Sequence, residues 1–216
     1  MFIGHFAAAF AAKKADRKLS LGATFVAAQW LDLLWPVLLL TGIEHAEITT
    51  DAAAPLPLQF TDYPVSHSLL AVAGWSLLMG FLCYLLVRRR KAAILIAALV
   101  LSHWVLDWLV HVPDLPLSPF TDAKEGLGLW NNKLLSLALE LVLFATGVYL
   151  YITSTRAVNK KGSIGLWSLI IFLLVIHIMN TFGPPPPSVT AVAVTGLSQW
   201  ILVLWAWWAD KYRTAI

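Results

Sequence analysis

The sequence predicts an all-α polytopic membrane protein, and three observations carry that prediction. Its residues are 59% hydrophobic and only 12% charged, with a mean hydropathy of +0.76, far outside the range of soluble domains. Apolar stretches recur at roughly 19–42, 66–87, 92–112, 134–154, 164–182 and 188–210, each about the 20 residues that a helix needs to cross a bilayer. The basic residues gather in alternate connections: Lys13 to Lys18, Arg88 to Lys91, Arg156 to Lys161, and Lys211 with Arg213. By the positive-inside rule those connections are cytoplasmic, which gives six transmembrane helices with both termini in the cytoplasm.

The elements follow in order. Residues 1–12 are apolar and end in Lys13 and Lys14. At about 1.5 Å per residue they reach about 18 Å, too short to span, so they form a half-inserted helix packed against protein. A secretory signal would carry its positive charge ahead of the apolar run. The first full span, 19–42, contains Asp32 and Pro36. The connection 43–65 carries Glu44, Glu47, Asp51 and Asp62 with no Lys or Arg. Together with 113–133 it holds six of the eleven prolines, which favours turns and extended backbone. Such long irregular segments on one face are where sites tend to be capped. The tetraproline at 184–187 reads as a rigid outer turn, and Trp205, Trp207 and Trp208 mark an interface beside Lys211. The chain is one integral membrane domain over 1–216.

Composition also excludes functions. The formal charge of +3 lies in clusters flanking apolar spans, a sign of topology and not of a nucleic-acid face. The single cysteine, Cys83, rules out an intramolecular disulfide. No nucleophile elbow, phosphate-cradling glycine loop or zinc–thiolate pattern is present.

Against this apolar background the ionisable residues inside the spans stand out. His103, Asp107 and His111 recur every fourth residue, so at about 100° per residue neighbours differ by about 40° and share one helix face. Imidazole and carboxylate are the usual non-thiolate ligands of zinc and similar divalent metals. The bland alternative is a His–Asp pair that only knits helices together. Asp32, His67, Glu140 and His177 all fall in the outer part of their spans, and His5 reaches toward them from the cytoplasmic side. Ionisable groups converging within a bilayer mark a functional site. Glu140 and His177 suit supporting roles, and His45 reads as a solvated loop residue.

Gly4-His5, Asp32 with Pro36, His67-Ser68-Leu69-Leu70, and Ser102-His103 with Asp107 resemble, over residues 1–117, the bacterial inner-membrane family described as metal-dependent hydrolases. That family is distantly similar to the all-helical zinc-dependent phospholipase C group. The resemblance implies His5, Asp32, His67, His103 and Asp107 as metal ligands, with Asp62 and His111 completing the set. Two departures stand out: Leu34 and Trp35 replace an Asp and a His of the family pattern, and Asp62-Tyr63-Pro64 replaces His-Arg-Gly. Residues 118–216 then add helices beyond the metal-site part.

The function expected is hydrolysis of a lipid-borne ester or phosphoester at the outer leaflet by a metal-activated water, zinc foremost as the metal. Asp107 or Asp62 would act as general base, and Ser66 and Ser102 would orient the ligands that follow them. The alternatives are a metal-ion or proton transporter and a non-catalytic membrane scaffold with a structural His/Asp cluster.

Overall fold

The structure is a computed structural model of the chain and describes residues 1–51 and 54–216. Helix α1 (Ile3–Ala15) is followed by α2 (Leu21–Ala28) and α3 (Trp30–Leu40). A hairpin of β1 (His45–Ile48) and β2 (Leu58–Asp62) leads into the single turn α4 (Pro64–His67) and the long antiparallel pair α5 (Leu69–Val87) and α6 (Arg90–Val110). Beyond β3 (Leu115–Pro116) and β4 (Lys124–Glu125) come α7 (Lys133–Ile152), β5 (Thr155–Ala157), α8 (Lys160–Phe182), α9 (Val189–Leu197), α10 (Gln199–Lys211) and β6 (Arg213–Ala215). Helices α5, α6, α7, α8 and the α9–α10 unit are each long and apolar enough to cross a membrane. The pair α2 and α3, bent by 55°, makes a sixth crossing if taken as one span.

Local chemistry sets these boundaries. Ser20, Ser68, Asn132, Asn159 and Ser188 each cap the helix that follows by accepting a backbone N–H. Helix α5 stops at Arg88, whose left-handed φ of 54° turns the chain directly into α6. Lipid supplies no hydrogen bonds, so the ends of helices inside the bilayer need protein partners.

The first span differs from its sequence reading as a continuous helix: it breaks at Gln29. The break frees the carbonyl of Ala28, which in an unbroken helix would accept from the N–H four residues on; it accepts instead from His103 Nδ1 at 2.7 Å. Pro36 likewise has no N–H to offer the carbonyl of Asp32. Gln199 Nε2 fills that role at 3.4 Å. The short apolar N-terminal segment is helix α1, nearly all of it buried against α2, α6 and α7.

The basic connections come together at one end of the bundle. Asp16 holds Arg89 through both carboxylate oxygens, at 2.5 and 2.6 Å. Lys13, buried, donates to Asp210 Oδ2 at 2.7 Å, and the other Asp210 oxygen accepts from Tyr151. The C-terminal β6 pairs with β5. Above this end, Phe10 packs edge-on against Phe25, Phe144 and Tyr151, filling the middle of the bundle with rings.

Helix α1 keeps its depth because α7 carries Gly147 where the two backbones meet. A Cβ there would sit 2.7 Å from Ala7 Cα and run into the Ala7 carbonyl. We therefore expect Gly147→Val to lower stability by about 1–3 kcal/mol, read as a reduced melting temperature in detergent; an unchanged melt would show that α1 is not held at this contact.

Candidate metal centre

Helix α6 supplies two residues of the site. His103 and Asp107, four residues apart and both buried, project from one face. His5 reaches them from the N-terminal turn of α1, Asp32 from the first turn of α3, and His67 from the end of α4. Four separate elements thus meet at the bend in the first span.

The distances are those of a ligand cluster. His103 Nε2 lies 3.1 Å from Asp107 Oδ2 and 3.7 Å from Asp32 Oδ1. His67 Nε2 lies 3.6 Å from Asp32 Oδ1 and 3.9 Å from Asp107 Oδ2. His5 Nε2 is 3.0 Å from Asp107 Oδ1, which also takes the Met1 ammonium at 2.5 Å. Two triads result, His5 with His103 and Asp107, and Asp32 with His67 and His103, each with its ligand atoms within 4.8 Å of one another. Bonds of about 2.0–2.2 Å to a tetrahedral metal place neighbouring donors about 3.3–3.6 Å apart. The observed spacings bracket that value.

The donor chemistry fits a cation as well. A carbonyl can only accept, so the Ala28 contact places the His103 proton on Nδ1 and leaves the Nε2 lone pair of the neutral ring facing two carboxylates. Among the described residues that nitrogen has no hydrogen-bond partner. The His5 and His103 rings stack at 3.6 Å with 8° between their planes, an arrangement ill suited to two imidazolium charges. A divalent ion at His103 Nε2 would satisfy that lone pair and the facing carboxylates while both rings stay neutral.

The support around the cluster is specific. Ser66 Oγ lies 2.7 Å from His67 Nδ1 and 2.6 Å from Glu44 Oε2, while Ser66 N donates to Glu44 Oε1 at 2.7 Å. Glu44 is 1% exposed, and burial pushes its carboxyl above the usual range, opposed by the bonds from Ser66. Burial likewise raises the phenol of Tyr63, which packs on His67 and donates to Asp114 Oδ1 at 3.3 Å. Glu140 accepts from the N–H groups of Phe2 and Gly4, holding the start of α1, and His177 stacks on Phe2.

Three residues expected at the site are placed elsewhere. Helix α6 ends at Val110, and His111, with ψ of 143°, has left the helical face that carries His103 and Asp107. Its Nδ1 instead donates to Asp114 at 2.7 Å, and its ring packs on Trp130. Asp62 stands on β2 with its side chain 62% exposed, opposite His45, and belongs to neither triad. Ser102 turns back to the Leu99 carbonyl at 2.7 Å and does not reach His103. Glu44 was hidden among the acids of an exposed-looking loop; the one signal for it was its position just after a helix that carries a ligand.

The family model for the YdjM inner membrane protein matches residues 1–183. This chain belongs to the YdjM inner membrane protein family. No curated protein and no solved structure matches it. The family match runs through α8, well past the 117 residues over which the ligand motifs are visible, and identifies a multi-pass inner-membrane protein. Both triads of this YdjM family member lie inside the matched region.

If the cluster holds a metal through Asp32 and not through Asp62, Asp32→Asn should weaken zinc binding by more than about tenfold while Asp62→Asn leaves it at the wild-type value. Competition with a chelating dye on the purified variants measures both; equal losses would mean the hairpin carboxylate also binds the ion.

Proposed function

We propose that the protein is a membrane-embedded metal-dependent hydrolase that acts on a lipid-borne ester or phosphoester. The observation that carries this reading is the convergence of buried His5, His67, His103 and Asp107 with partly buried Asp32 around His103 Nε2, a nitrogen facing carboxylates with no hydrogen-bond partner of its own among the described residues. Nitrogen and oxygen donors without thiolate suit zinc and similar divalent ions. Such an ion, when bound, supplies a Lewis acid and lowers the pKa of a water molecule toward neutrality.

The chain's own residues do the rest. Asp32 keeps 23% of its side chain exposed while His67, His103 and Asp107 keep 5% or less, so substrate and water approach from the Asp32 side. Asp107, held at Oδ1 by His5, presents Oδ2 to His67 and His103 and is placed to accept a proton. The Ala28 carbonyl and Ser66 fix the two imidazoles from behind. Val37 and Leu40 of α3 and Leu70 of α5 expose apolar surface, which suits an amphiphile arriving sideways from the bilayer.

The layer of rings around Phe10 favours hydrolysis over transport. Phe10, Phe25 and Phe144 are at most 3% exposed and lie between the triads and the Lys13–Asp210 pair at the basic end. An ion pathway needs polar groups at both faces; here the polar cluster serves one leaflet, which the positive-inside rule assigns to the outer side.

Purified wild-type protein should retain a near-stoichiometric divalent metal and hydrolyse ester or phosphoester bonds in mixed phospholipid vesicles, losing activity to a chelator and regaining it with zinc. His103→Ala and Asp107→Ala should lose both metal and turnover. Wild-type protein with metal but no turnover on phosphodiester, phosphomonoester or carboxylic ester lipids would overturn the hydrolase reading.

A further inference from the structure

We infer that Glu44, acting through Ser66, is a positioning residue that holds His67 in the tautomer a metal requires. This rests on the ligand role proposed for His67, and its test reads the ring itself.

The argument begins with what each atom can do. Ser66 Oγ has one proton, and it lies 2.6 Å from Glu44 Oε2 and 2.7 Å from His67 Nδ1. It can donate to one of them only. Glu44 also takes the backbone N–H of Ser66 on Oε1 at 2.7 Å, so the two carboxylate oxygens accept from a single residue in a two-point grip. A carboxylate accepts and cannot donate, so the Ser66 hydroxyl gives its proton to Glu44 and its oxygen is left as acceptor. His67 Nδ1 must then carry a hydrogen and donate it to Ser66 Oγ. The neutral ring has only one N–H, so Nε2 bears the lone pair, and Nε2 is the atom that lies 3.6 Å from Asp32 Oδ1.

The chain Glu44 to Ser66 to His67 therefore runs in one direction, each hydrogen pointing away from the cluster. It gives His67 the support that the Ala28 carbonyl gives His103. Both imidazoles are thereby made lone-pair donors at Nε2 by contacts behind them. The grip is well protected: Glu44, Ser66 and His67 are 1%, 0% and 4% exposed, so water does not compete for the hydroxyl.

The inference makes a directional prediction for Glu44→Gln, which is nearly isosteric. Its carbonyl oxygen keeps the bond from Ser66 N, but its amide donates to Ser66 Oγ. The hydroxyl, having lost its carboxylate acceptor, is then free to donate to His67 Nδ1, which shifts the ring proton to Nε2, facing the cluster.

The experiment uses metal-free full-length protein in detergent with histidine labelled by nitrogen-15, the His67 signals assigned by their loss in His67→Gln. In wild type Nδ1 should be the protonated nitrogen and Nε2 the unprotonated one; in Glu44→Gln the two should exchange. Zinc affinity should fall by about 10- to 100-fold in Glu44→Gln. In a Ser66→Ala background, adding Glu44→Gln should cause no further loss, because the intermediary is gone. A wild-type ring protonated at Nε2, an unchanged tautomer in Glu44→Gln, or additive losses in the double variant would each overturn the inference. Absence of zinc binding in wild type would instead overturn the metal reading, since the tautomer is measured without metal.

Discussion

The structure depends on one constraint: two carboxylates, Asp107 buried and Asp32 partly so, and three buried imidazoles are gathered among apolar side chains and rings. An ionised carboxylate removed from water without compensation is costly enough that proteins pair it, protonate it or give it to a metal. Here Asp107 has His5 and the Met1 ammonium on one oxygen and His67 and His103 facing the other, while Asp32 faces both His67 and His103. His67 and His103 turn Nε2 toward these carboxylates, an arrangement that a cation between them would stabilise.

The irregularities of the backbone follow from the same constraint. The first span breaks at Gln29, and the break releases the Ala28 carbonyl that orients His103. Pro36 opens a second carbonyl, that of Asp32, which Gln199 on α10 takes up. Helix α1 is too short to cross a bilayer, yet most of it is buried against its neighbours, and it delivers both His5 and the Met1 ammonium to Asp107. Its lower end is anchored by Lys13 to Asp210 and its upper end by Glu140. Irregular backbone at membrane depth is tolerated where it is enclosed by protein, and the breaks at Gln29 and Pro36 lie beside the cluster.

Much of this was legible in the sequence, and the failures have physical causes. The spans and the distribution of basic residues follow from hydropathy and charge, and His103 with Asp107 follows from the helical repeat. His111 satisfies the same spacing, but spacing holds only while the helix continues, and it ends one residue earlier. Asp62 was placed by its order in a family pattern, whereas the register of a two-stranded hairpin turned it toward His45 and solvent. Ser102 and Ser66 look equivalent, each preceding a histidine; inside α6 the nearest acceptor for Ser102 is its own helix, while Ser66 sits in a single turn with Glu44 above it. Glu44 itself lies in an acidic connection, where only its place just after the helix that carries Asp32 sets it apart from the exposed acids around it. The bend at Gln29 carries no proline or glycine and was invisible for that reason.

The central claim is that one set of nitrogen and oxygen side chains binds a divalent cation inside the bundle. X-ray absorption at the zinc edge of the loaded, purified protein tests it directly. The account predicts a first shell of nitrogen and oxygen near 2.0–2.2 Å with outer scattering from at least two imidazole rings, and loss of the imidazole contribution in His103→Ala. A shell of water oxygens without imidazole, or wild-type protein that holds no zinc at all, would contradict it.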